Sequence, residues 1–136
     1  MIALAERLLG SWALLRWEIS YPDGRPVSLP FGDDAVGCLM YAADGWMSAT
    51  MCRQQRASAA ASEYLTYCGP WHVEGDVVIH DVHYSLSPVL VGTRQERRAV
   101  FLGATLQLAA AESDSQGRQR DHRILWCRQR SDVVKA

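Results

Sequence analysis

The chain contains four histidines, five tyrosines and four cysteines, and their spacing fits no common catalytic arrangement. There is no G-x-S-x-G elbow, no C-x-x-C pair, no histidine cluster and no readable carboxylate pair. What remains is a set of isolated groups with usable chemistry. His80 belongs to the residue type whose unperturbed pKa, about 6.5, lets it act as acid or base near neutrality. Tyr41 and Tyr84 can donate hydrogen bonds, Gln95 offers a donor and an acceptor, and Arg97 can hold an anion or steady a developing enolate. For an enzyme, His80, Arg97 and Tyr41 are the catalytic candidates. Cys38, Cys52, Cys68 and Cys127 lie far apart in the sequence. They read as reduced structural thiols, and a zinc site would need ligands from distant strands, so neither metal nor cofactor is expected.

Such groups matter only if the fold brings them together. Short apolar runs broken by turn residues dominate the sequence, the pattern of an antiparallel barrel or sandwich. Residues 2–9 fit a short amphipathic helix that Gly10 can stop. Strands follow at Trp12–Tyr21, Val36–Ala42, Trp46–Cys52, Tyr67–Glu74, Val77–Tyr84, Thr93–Leu102, Ala104–Ala110 and about Asp121–Arg130. Turns at Pro22-Asp23-Gly24, Asp44-Gly45 and Gly75-Asp76 supply the fixed and positive φ angles that reversals need. The alanine-rich stretch near 54–66 predicts a short helix or helical lid, Glu112–Arg120 a polar hairpin, and the tail a frayed end. Eight strands joined to their neighbours invite closure, because a closed sheet leaves no edge for aggregation. The expected fold is therefore all-β: an eight-stranded antiparallel up-and-down barrel with a short N-terminal helix. A barrel of that size holds packed side chains or one small ligand.

The two-residue period of a strand then assigns faces. Arg94, Glu96 and Arg98 must face water, which turns Gln95, Arg97, Ala99 and Phe101 inward. Asp81 and His83 suit solvent, which turns His80 and Tyr84 inward. The remaining strands contribute Leu39 and Tyr41, then Met47, Ala49 and Met51, then Leu106 and Leu108, and Trp126. The result is an apolar, aromatic-rich interior with a few polar handles. Each of these residues has a plainer reading as core, and His80 can be satisfied by a neighbour's hydroxyl. A buried guanidinium is harder to dismiss, since it cannot shed its charge and needs an anionic or carbonyl partner.

Composition narrows the function. The 136 residues, 21% of them charged and with a formal charge of −1, make one domain spanning 1–136 and argue against a nucleic-acid partner. No apolar run approaches the roughly 18 residues of a membrane span. The N-terminus lacks the features of a secretory leader, so a cytoplasmic location is expected. Trp46, beside a strand edge, could serve a homodimer.

Gly10-Ser11-Trp12, opening the first strand after a short helix, resembles the G-x-W signature of lipocalins. The resemblance implies that Trp12 plugs one end of a barrel, with Arg128 or Arg130 stacked on it. Over nearly the whole length the chain is similar to the bacterial and fungal lipocalin-like domain family. The matching stretches include Trp17-Glu18, Pro30-Phe31-Gly32, Gly37 to Tyr41 and Asp44 to Ala49. They continue through Tyr67, Gly69, Val73 to Asp76, Val78, His80, Val82, Ser85, Pro88, Val91-Gly92-Thr93, Gln95, Arg97-Arg98 and Leu125-Trp126. Asp81 and Leu90 depart from the histidine and aromatic frequent in that family. The resemblance implies an up-and-down barrel around an apolar ligand.

The leading expectation is thus binding of a small, mainly apolar molecule, with an anionic group allowed by Arg97. The expected lining is Tyr41, Met47, Ala49, Met51, His80, Tyr84, Gln95, Arg97, Phe101, Leu108 and Trp126. The alternative is a cofactor-free isomerase or cyclase of a polyketide- or terpenoid-like substrate, in which the cavity selects a reactive conformer. A third reading, a filled barrel, has the outer arginines Arg94, Arg98 and Arg123 meet an acidic partner.

Overall fold

The computed structural model of the chain describes residues 2–54 and 61–130. A five-residue helix, α1 (Leu4–Leu8), leads into β1 (Gly10–Ser20), β2 (Val36–Tyr41), β3 (Trp46–Cys52), β4 (Tyr64–Glu74) and β5 (Val77–Asp81). A two-residue strand β6 (Tyr84–Ser85) precedes β7 (Arg94–Leu102), β8 (Thr105–Ser113) and β9 (Gln119–Arg128). Antiparallel pairing runs β1–β2–β3–β4–β5–β7–β8–β9 and returns to β1, closing an eight-stranded barrel with β6 riding on β4. No described helix is long and apolar enough to cross a membrane.

One end is plugged. Leu8 and Trp12 are fully buried, and the Trp12 indole N–H donates to the Leu8 carbonyl at 2.9 Å. The Arg128 guanidinium lies 3.9 Å from the Trp12 ring centroid and donates to the Arg7 and Leu9 carbonyls at 2.6 Å each. These carbonyls end a helix too short to satisfy them itself, so one cation both stacks and caps. Gly10, at φ +111°, is required here, because a Cβ would also stand 2.9 Å from Arg128 Nη1.

The face assignments hold except where a strand is irregular. In β7, Gln95, Arg97, Ala99 and Phe101 turn inward between exposed Arg94, Glu96 and Arg98. In β9 the Trp126 face is the inner one. Tyr84 is a correction: it is 67% exposed and stacks outside on Trp46, with ring centroids 6.4 Å apart. The cause is a bulge. Trp71 pairs with His80 in β5, but Cys68 pairs with Tyr84 in β6, one residue out of step. That extra residue between the two strands inverts the alternation. Gly69 makes room for it, since a Cβ there would lie 1.8 Å from the Asp81 carbonyl oxygen.

Of the helix expected near 54–66, residues 55–60 lie outside the described residues, as does the tail from 131. Ala61–Glu63 form a single 3-10 turn. Tyr64–Thr66 are strand instead, drawn into the ladder opposite Cys52, Met51 and Thr50 of β3. Glu112–Arg120 does form a hairpin, with Asp114 accepting backbone N–H bonds from Gln116 and Arg118 across its tip.

Candidate functional site

Beyond the plug the barrel is hollow. A cavity of about 390 Å³ extends from Leu39, Ala49, Leu108 and Trp126 in the middle of the barrel to Pro30, Leu90, Glu112, Arg120 and His122 at the other end. Most of its wall is aliphatic or aromatic, as alternating inner-face positions of eight strands dictate.

The polar exception begins at His80 on β5, which is 1% exposed. Both ring nitrogens meet phenols: Tyr41 on β2 lies 2.7 Å from Nε2, and Tyr67 on β4 lies 2.8 Å from Nδ1. Burial, reinforced by the positive charge of Arg97, lowers the His80 pKa to about 3. Burial also raises both phenols, Tyr41 well above its ordinary value. All three groups are therefore neutral across the physiological range. His80 is thus held between two hydroxyls at the cavity wall, with burial favouring its neutral form.

Arg97 borders the cavity with a different set of partners. It donates to the Glu96 carbonyl at 2.9 Å and to Gln95 Oε1 at 3.1 Å. Gln95 in turn donates to Thr93 Oγ1 at 2.8 Å, which fixes the direction of its amide. Among the described residues no carboxylate pairs with Arg97. The outward arginines differ: Arg94 pairs with Glu74 and Glu96, Arg98 with Asp76, and Arg123 with Glu18. A second donor is left over in the wall itself. The indole N–H of Trp126, a residue 2% exposed, has no partner among the described residues.

At the far end a separate cluster knits three strands. Trp17 Nε1 donates to His122 Nδ1 at 3.1 Å, so His122 carries its proton on Nε2 and directs it to Glu112 at 2.7 Å. Arg120 donates to the same carboxylate oxygen. Burial of Glu112 works against its charge, but the bond from His122 and the charge and hydrogen bond of Arg120 prevail, and its carboxyl sits below the usual range.

Seven of the expected lining residues border the cavity: Ala49, Met51, His80, Gln95, Arg97, Leu108 and Trp126. Tyr41 stands behind His80 and acts through it. Met47 is buried in the core. Phe101 is inward but belongs to the plug, under the Arg7 guanidinium and 6.1 Å from Trp12. Tyr84 lies outside. Tyr67 and the Glu112–Arg120–His122 cluster were missed as site residues. Tyr67 had a signal, because the same alternation that turns Leu65 of β4 toward the cavity carries it inward.

Comparison with known proteins agrees with this architecture. No curated protein and no solved structure gives a significant match. A family profile described as a lipocalin-like domain matches residues 9–129. That span takes in every barrel strand, from the Trp12 plug to the Arg128 that stacks on it, and the chain belongs to the lipocalin-like domain family.

Proposed function

We propose that this protein binds a small, mainly apolar molecule inside its barrel. The observation that carries the reading is the cavity of about 390 Å³, a volume within the usual range for small-molecule sites and walled by apolar side chains with a few placed polar groups. Leu39, Ala49, Met51, Leu65, Leu108 and Ile124 would contact the apolar body. Arg97, Tyr67 and His80 would set its orientation. The cysteines, none of them in a disulfide among the described residues, would suit the reducing, cytoplasmic setting expected for the chain. Met40, Trp46 and Tyr84, all exposed on the outer wall, would be the place for a second copy.

The isomerase or cyclase alternative draws less support. A histidine with pKa about 3 is a poor general base at neutral pH, and both of its nitrogens are already occupied. The interaction-module reading loses its motive, since the outer arginines each have a carboxylate of their own.

Displacement of the neutral dye N-phenyl-1-naphthylamine tests the proposal, alongside a variant, Ala49→Trp, that fills the cavity. Saturable dye binding that the filled barrel loses, while its far-UV spectrum is kept, is the expected result. A protein that binds no apolar probe, or binds it equally well when filled, refutes the reading.

A further inference from the structure

The hydrogen-bond inventory of the polar wall identifies what kind of group the ligand carries. A neutral imidazole has one N–H and one lone pair, so the two phenols flanking His80 cannot play the same role. In one arrangement Tyr41 donates to Nε2 and Nδ1–H donates to Tyr67, leaving the Tyr67 hydroxyl proton free. In the other, Tyr67 donates to Nδ1 and Nε2–H donates to Tyr41, leaving the Tyr41 proton free. Tyr41 is 2% exposed, does not border the cavity and has no other hydrogen-bond partner among the described residues. The second arrangement would strand its proton in the core, at a cost that buried groups in folded proteins avoid. The first directs the surplus proton to Tyr67, whose side chain borders the cavity.

The neighbouring groups have the same polarity. Trp126 borders the cavity, and its indole N–H, a donor only, has no partner among the described residues, although the nitrogen itself is closed off from solvent. The Arg97 guanidinium has about five N–H groups, of which two are engaged by Glu96 and Gln95, and its charge has no carboxylate partner among the described residues. The side-chain acceptor bonded to it, Gln95 Oε1, is already taken by Arg97 itself. The carboxylate that does border the cavity, Glu112, is held at the far end by Arg120 and His122. Water could occupy such a pole, but a neutral molecule leaves a partly buried guanidinium without countercharge.

We infer that this inner pole is a donor-only site for an oxyanion, whether carboxylate, enolate or phenolate, carried on an apolar body and held deprotonated. The inference rests on the cavity being a binding site. It adds that the site excludes cations and ranks neutral alcohols below anions of the same shape. Gln95 positions Arg97, and Tyr41 positions Tyr67 through His80, without touching the ligand.

Decanoate, decan-1-ol and decylamine, competed against N-phenyl-1-naphthylamine at neutral pH, share one tail and differ in the head. The expected order is decanoate first, by about tenfold or more over the alcohol, as for a hydrogen bond to a charged group, with the amine last. In Arg97→Met the preference for decanoate over decanol falls to near parity, and in Tyr67→Phe it falls several-fold. 4-Nitrophenol, whose anion alone is yellow, gives a second arm free of variants: binding near its pKa should deepen the colour. A carboxylate response without a phenolate response assigns the site to carboxylates, and the reverse to phenolates or enolates. Equal affinity for all three heads together with an unchanged nitrophenol spectrum overturns the inference while leaving apolar binding intact. Failure of the dye itself to bind removes the underlying reading instead.

Discussion

Replacing Tyr41 by phenylalanine isolates the polar chain from the rest of the core. Phenylalanine keeps the ring that packs 4.7 Å from Trp71 and removes only the hydroxyl bonded to His80 Nε2 at 2.7 Å. The imidazole is then left with one nitrogen unpartnered in a site 1% exposed, whichever tautomer it takes. An orphaned buried polar group costs about 1–3 kcal/mol, which for a domain of this length lowers Tm by roughly 3–5 °C per kcal/mol. The informative comparison is the same change made in a His80→Leu background. There Tyr41 has already lost its partner, so deleting its hydroxyl relieves a strained group and should be neutral or stabilising. Urea unfolding of the four proteins in this cycle gives the coupling directly. An equal loss in both backgrounds would mean that the Tyr41 hydroxyl contributes nothing through His80, and the tautomer assignment that frees the Tyr67 proton would fall with it.

Two further predictions concern pH and the bulge. Because the folded-state pKa of His80 is lowered from 6.5 to about 3, the unfolded chain takes up a proton that the folded one refuses as pH falls below about 6.5. His80 should therefore erode stability by up to about 1.4 kcal/mol per pH unit between those two values and level off below the lower one. Its ring resonances should show no titration between neutrality and mild acid; a midpoint near 6.5 in the folded protein contradicts the burial. Gly69→Ala should cost about 3 kcal/mol, the upper end of overpacking effects, since its Cβ would meet backbone rather than a movable side chain. A urea midpoint within error of the parent would show that the bulge is not held by Gly69.

The success and failure of the sequence reading follow the regularity of each strand. Arg97 was legible because Arg94, Glu96 and Arg98 leave no doubt about which face of β7 meets water, and β7 pairs without a break. Tyr84 was not legible, because alternation was carried through a bulge that only the Asp81–Gly69 approach creates. Period also says which side a residue faces, not how far along the barrel axis it lies. Met47 and Phe101 do point inward, but they lie among the core and the plug, where Trp12 has already filled the space. Tyr67 was legible from its strand: Tyr67, Trp71 and Val73 alternate with exposed His72 and Glu74, so the apolar face of β4 carries it inward.

On the proposed reading, the polar wall favours binding over proton-transfer catalysis. A group that moves protons at neutral pH needs two protonation states within reach, and His80, Tyr41 and Tyr67 are each pushed away from that condition by burial. Their directions differ: burial makes the base weaker and the acids weaker too, so on the proposed reading the three groups would polarise a ligand oxygen rather than take a proton from it. Three strands, β2, β4 and β5, are spanned to hold a single hydroxyl proton at the cavity wall. Arg97 supplies the charge that this neutral chain lacks. Fixed donors of this kind favour an anion already formed in solution, which places the discrimination in the ligand's own ionisation and leaves the protein's protonation unchanged over the range where it works.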